Sequence, residues 1–215
     1  MKTLFLILVG VSLSVAGANA TEQDVVNRSA QTLREFRRMP EKGLPPNIIR
    51  HAKGLAILSV AKAGFIFSGK AGEGVVIART DHGWSGPSFI GTGGAGWGLQ
   101  IGAEVTDFVI VLNNDAAVRA FSHGGNVTIG GDVSAAAGPV GRAAEAGITP
   151  AAAIYTYSRS KGLFAGVSLE GAVIGTRKGA NERYYQRPVT AADILRGRVA
   201  PPPGAASLRA AVAGR

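Results

Sequence analysis

The alternation of apolar and polar positions divides this chain into a helical start and a long β-rich remainder. Between residues 97 and 105, Trp97, Leu99, Ile101, Ala103 and Val105 alternate with Gly98, Gln100, Gly102 and Glu104. That is the period of two of a half-buried strand. Residues 108–112 are then apolar at every position, as in a strand covered on both faces. The pattern predicts one long strand here, with the stretch 83–114 as the centre of the fold. Its second face carries Gln100 and Glu104 between glycines, and a strand glycine marks a bend, a bulge or a close approach. The expectation is that another segment packs on this face, so that a Cβ at Gly102 would collide with it.

Shorter apolar runs at 55–60, 65–67, 75–79, 127–129, 154–158 and 163–173 predict further strands, with Asp81-His82-Gly83 as a turn. The small-residue stretch 135–147 fits neither pattern. Upstream, Val26, Ala30, Leu33 and Phe36 recur at helical spacing over 21–38, with Arg28, Arg34, Arg37 and Arg38 as the charged complement. Such a helix either lies on the core or rests on a membrane as a basic amphipathic helix. Met39-Pro40 ends it, and Gly43-Leu44-Pro45-Pro46 is a linker. Short helices are predicted at 47–52, at 116–122 behind Asn113-Asn114-Asp115, at 181–186, and at 191–196 behind Thr190. Pro201-Pro202-Pro203-Gly204 opens a tail, and 199–215 is expected to be flexible. The fold class is α+β: a glycine-rich antiparallel β-sandwich or barrel with an N-terminal helix and short C-terminal helices. Its main domain is 47–198, preceded by a helix-and-linker segment, 21–46.

Composition sharpens this picture. Gly is 31 of 215 residues, about twice the usual ~7%, which favours a β-rich chain with tight backbone contacts over a helical bundle. No cysteine is present, which excludes disulfides and thiolate chemistry. Residues 1–20 read as a secretory signal peptide: Lys2, an apolar run over 3–15, and Ala18-Asn19-Ala20 as the cleavage site. A membrane anchor needs ~20 apolar residues, more than this run supplies. The product from Thr21 is expected to be exported, periplasmic or extracellular. Lys2 is the one charged residue removed, so the formal charge falls from +9 to +8. A basic excess attracts phosphates, anionic lipid or nucleic acid; in an exported protein lipid is the relevant partner.

Two motifs imitate nucleotide sites. Residues 64–70 fit seven positions of a P-loop, but Ala71 stands where Mg²⁺ needs a hydroxyl, and Phe65-Ile66-Phe67 is strand sequence. Residues 91–96 match G-x-G-x-x-G, but a strand pattern follows where a helix is required, so the stretch reads as turn chemistry. Neither predicts a bound nucleotide. His51, His82 and His123 are scattered without metal-ligand spacing. Glu104 and Asp107, three apart on a strand, face opposite sides. Glu104 reads as a buried polar anchor. No catalytic residue, cofactor or metal is assigned.

Several longer motifs carry a resemblance. They are Lys53-Gly54-Leu55-Ala56, Ala63-Gly64-Phe65 with Ser68-Gly69, Gly83-Trp84-Ser85-Gly86-Pro87-Ser88-Phe89, the run 98–104 with Asp107 and Val111-Leu112-Asn113, and 157–166. Over about 53–186 the sequence resembles the SYLF domain family. The resemblance implies a lipid-binding module, in which eukaryotic members bind phosphoinositides through an amphipathic N-terminal helix and basic residues, and some bind actin filaments. The leading reading is thus a secreted, non-catalytic binder of anionic lipid, phosphoinositide-like or another acidic phospholipid. The alternative is a structural or protein-interaction module of the bacterial envelope. Candidate lipid contacts are Arg34, Arg37, Arg38, Lys53, Lys62, Lys70, Arg159 and Lys161. Arg159 lies inside a family motif; its other possible role is to pair with Glu104 or Asp107 in the core.

Overall fold

The computed structural model describes residues 21–39, 43–64, 67–97, 102–140, 152–162, 169 and 171–214. The expected signal peptide, Phe65, Gly98, Gln100 and most of the run 163–173 lie outside the described residues. Helix α1 is Glu22–Arg38 and α2 is Pro46–His51. Strands β1 (Gly54–Gly64), β2 (Phe67–Thr80), β3 (Gly83–Trp84), β4 (Ser88–Trp97) and β5 (Gly102–Leu112) follow. Helix α3 (Asp115–Ser122) leads to β6 (Asn126–Thr128), β7 (Ala135–Ala137), β8 (Ile154–Gly162) and β9 (Val173–Thr176). Helices α4 (Lys178–Tyr185), α5 (Ala191–Leu195) and α6 (Ala206–Ala213) close the chain.

The fold is α+β, as its pattern predicts. One curled sheet, a half-barrel, runs in the order β6-β9-β4-β2-β1-β5-β8-β7, with β3 on β2. Every pairing between these strands is antiparallel except β7 with β8. Alternation sends Leu55, Ile57, Val75, Ile77, Val109 and Val111 to one face, beneath α1 and α6. Ala56, Leu58, Val76, Phe108, Ile110 and Leu112 go to the other, against α3 and Leu195 of α5. This double cover explains the unbroken apolar run at 108–112.

The one long strand expected through 97–105 is instead divided. Trp97 ends β4 and Gly102 begins β5, and the β1–β2 hairpin lies between these two strands in the sheet. Side-chain alternation cannot reveal such a crossing, because both halves keep the same period. Burial also reverses the expected faces: Val105 is 44% exposed, while Glu104 is 3% exposed and accepts a hydrogen bond from Thr106 Oγ1 at 3.1 Å. Gly102 has φ 149°, which an L residue rarely adopts. That backbone conformation by itself favours glycine there; Gly98 and Gln100, which share the face expected to be packed, lie outside the described residues.

Helix α1 starts at Thr21, whose hydroxyl accepts from Asp24 N while the Asp24 carboxylate accepts from Thr21 N. This capping box satisfies orphan donors of the first turn, and the Thr21 hydroxyl holds the Asp24 carboxyl below its usual range. Val25, Val26, Ala30, Leu33 and Phe36 are buried against the sheet. Of the two placements the sequence allows for this helix, the described one is on the core.

The flexible tail expected for 199–215 is a correction. Residues Pro203–Ala205 form a 3-10 turn and α6 packs on α1, with Leu208, Ala211 and Val212 in the core shared with α1. Three successive prolines mark a loop entry but do not reveal the apolar stripe behind them.

Candidate functional site

The strands of the half-barrel outrun the helix that covers them. Beneath α1, direct cross-strand neighbours form the row Gly91, Glu73, Ser59, Asp107, Arg159. One row further out lie Gly93, Ala71, Ala61 and Val105, and beyond them Ala95, Gly69, Ala63 and Ala103. An open groove of about 1080 Å³ runs between α1 and this uncovered face.

Charge is arranged in two clusters along the inner row. Glu73 bridges two guanidiniums, Arg28 on α1 and Arg177 ahead of α4, each at 3.0 Å. Arg159 reaches Asp107 at 3.0 Å and also pairs with Glu35 of α1, while Ser59 donates to Asp107. Burial opposes the charge on Arg159, but its hydrogen bonds to Glu35 and Asp107 outweigh that and raise its pKa. Among the described residues its Nε is buried without a hydrogen-bond partner.

The candidate lipid contacts do not converge. Arg34 donates to the Ser207 carbonyl and Arg37 to that of Val212, each at 3.1 Å, so both hold α6 against α1. The Arg37 bond also supplies a donor to an orphan carbonyl at the end of α6. Arg38 is exposed. Arg159 is committed to two carboxylates, the pairing role that the sequence leaves open, with Asp107 and not Glu104 as partner. Lys62 and Lys70 are cross-strand neighbours on the opposite face, in one row with Glu104. Lys161 pairs through its backbone with Val105. Lys53 lies at the other end of β1, about 30 Å from Lys62 at ~3.3 Å per residue.

Around Lys53, however, the fold gathers charges that the sequence keeps apart. Lys53 N donates to Leu112 O, and Arg79 N to Lys53 O. The Arg79 guanidinium donates to the carbonyls of Ile49, Arg50 and Ala52 and lies 4.6 Å over the Trp84 ring. A Cβ at Gly83 would come 4.0 Å from Arg209, one at Gly197 would meet Thr80, and one at Gly54 would meet Val118. Arg50, Lys53, Arg79, Arg119, Arg196 and Arg209, all exposed, therefore cluster at one end of the sheet, with Asp81 and Asp115 as nearby acids. Five of these six escape a reading along the chain. The available signal is that Lys53 and Arg79 bound apolar runs, since the ends of antiparallel runs become neighbours.

The described residues of both nucleotide-like motifs lie in strands. Gly64 pairs with Ser68 across the β1–β2 hairpin, and residues 91–96, expected as a turn, are instead interior to β4, paired along β2. His51, His82 and His123 are exposed, and the described residues contain no group of three or more metal-ligating side chains. No described helix is long and apolar enough to cross a membrane.

Residues 93–215 match the family model described as Ysc84, Las17-binding protein actin regulator. The chain belongs to the Ysc84/SYLF family. LAS seventeen-binding protein 3 of Saccharomyces cerevisiae is 52% identical over 165 residues, 74% of this chain and 36% of that protein. An SH3 domain-containing protein of Schizosaccharomyces pombe is 52% identical over 167 residues, 75% of this chain and 39% of its own. The human SH3 domain-containing YSC84-like protein 1 is 49% identical over 178 residues, 79% of this chain and 52% of that protein. The chain thus spans between about a third and a half of these relatives' lengths. Members of the family are named as binding or regulator proteins, in keeping with a non-catalytic binding module.

Proposed function

We propose that this chain docks on an anionic phospholipid surface, phosphoinositide-bearing or otherwise acidic, through the basic end of its sheet. The observation that carries the reading is the cluster of Arg50, Lys53, Arg79, Arg119, Arg196 and Arg209 at the Lys53 end of the sheet. Each cation near an anionic surface contributes about 1 kcal/mol, screened within a Debye length. Helix α1 is the weaker vehicle, because its apolar stripe is buried against the sheet.

Vesicle sedimentation tests this. Wild-type protein should bind anionic vesicles at low salt, bind them much less at high salt, and leave neutral vesicles in the supernatant. Replacing Lys53, Arg196 and Arg209 together by Gln should lose about a hundredfold in affinity, at ~1 kcal/mol per cation. Lys62→Gln with Lys70→Gln, at the far end, should change binding little. Equal binding to both vesicle types, or indifference to the triple change, would transfer the role to a protein partner, the envelope module being the alternative.

We further propose that the protein acts after export. Helix α1 is capped at Thr21, directly after the expected cleavage point, so a cut there leaves the capping residue as the new N-terminus. Intact-mass measurement on protein from its native host should give a chain starting at Thr21; a mass that includes Met1 would end the export reading.

A further inference from the structure

The groove beside α1 has a chemistry that the basic end does not share. Val105 and Val173, 44% and 43% exposed, are two of the three large hydrophobic residues described as exposed, and both line it. They sit on different strands, β5 and β9, at opposite sides of a floor of small residues. Ala61, Ala71 and Gly93 are exposed there, and a Cβ at Gly93 would meet nothing closer than 3.9 Å. A smooth apolar strip next to charged walls is the lining of an amphiphile site, with an apolar bed and a few placed polar groups.

The sign of the polar group follows from exposure. Arg28 and Arg177 share the single carboxylate of Glu73, which leaves one unit of positive charge at that corner, and their side chains are 46% and 39% exposed. The compensating negative corner, Glu35 and Asp107 around Arg159, is less open, with Asp107 only 10% exposed. A ligand entering from solvent therefore meets guanidinium first. Guanidiniums bind phosphate and carboxylate through paired hydrogen bonds, and both of these line the groove. From Glu73 on β2 the small floor continues across β1 to Val105 on β5, about 10 Å at ~4.8 Å per strand. That span suits a short extended alkyl segment.

We infer that this groove binds one single-chain anionic amphiphile, its phosphate or carboxylate head between Arg28 and Arg177 and its chain over Ala71, Ala61 and Val105. The site is independent of the basic end, and it takes a monomer where the basic end takes a surface.

Dodecyl phosphate below its micelle concentration is the probe, titrated calorimetrically into the full chain. It should bind one to one, while inorganic phosphate and dodecyltrimethylammonium should bind far more weakly. Ala71→Leu fills an exposed floor position without touching the core, and it should abolish most of the heat. Arg28→Gln should lose about tenfold, the worth of one hydrogen bond to a charged group. Thermal melts should show both variants folded, and their sedimentation with anionic vesicles should match wild type. That match separates failure here from failure of the surface-docking reading. No saturable binding by wild type, or equal binding by Ala71→Leu, would overturn the inference. A concentration-dependent dimer that Ala71→Leu dissolves would overturn it too, and would make the strip a contact between copies of this chain.

Discussion

Gly74→Ala is expected to lose about 3 kcal/mol of stability or more, at the upper end of overpacking costs. Gly74 is buried in the middle of β2, opposite Leu58 of β1 and Ile90 of β4. A Cβ built there falls inside the contact radius of the Ile57 carbonyl oxygen and lies 2.8 Å from the Leu58 Cα. Both are backbone atoms in the central pair of the sheet. No side-chain rotation relieves the contact, so two strands must part and weaken their ladder. Gly93→Ala, on the neighbouring strand, is the control. Its Cβ enters open space, and reduced backbone freedom in the unfolded chain should make it neutral or stabilising by about 0.4–1 kcal/mol. Urea unfolding of the two variants measures the difference; equal midpoints would remove the steric account.

Arg159→Ala should cost about 2–3 kcal/mol. Breaking a fully buried pair by removing one partner costs about 3–5 kcal/mol, and the guanidinium here is 21% exposed, which lowers the figure. Glu35 and Asp107 would face each other without a cation between them, and Phe36 would lose the charge 5.8 Å above its ring. Adding Glu35→Gln and Asp107→Asn to the Ala variant should restore part of the loss, since both uncompensated charges are then gone. The same protein, assayed below its melting temperature, should bind anionic vesicles as wild type does. A stable Arg159→Ala variant that no longer binds would return Arg159 to the lipid-contact role its place in a family motif implies.

Local chemistry was legible along the chain. The Thr190 cap, the Asp81-His82-Gly83 turn, the apolar stripe of α1 and the alternating runs of β1 and β2 all depend on residues a few positions apart. The α+β class followed from the same short-range patterns, and the family resemblance from motifs read directly in the sequence. What alternation could not supply was strand order. A period of two is unchanged when the chain leaves one strand and resumes in another, so Trp97 at the end of β4 read as one strand with β5. Nor does it say which face is covered: Val105 looked like the inward residue, yet α1 ends its cover at the Asp107 row and leaves Val105 to solvent.

The same division separates the two candidate sites. Basic residues could be named individually from the sequence, but their grouping is a product of register. Lys53 and Arg79 meet because β1 starts where β2 ends, and Arg196 and Arg209 join them because α5 and α6 return to that end. Arg159 and Lys53 both stood among the candidate lipid contacts, with Arg159 the stronger on paper. Tertiary structure decided that one is held by two carboxylates under α1 while the other is exposed at the end of the sheet. Charge is fixed by sequence, but whether a charge is available depends on which long-range neighbours the fold places within about 4 Å of it.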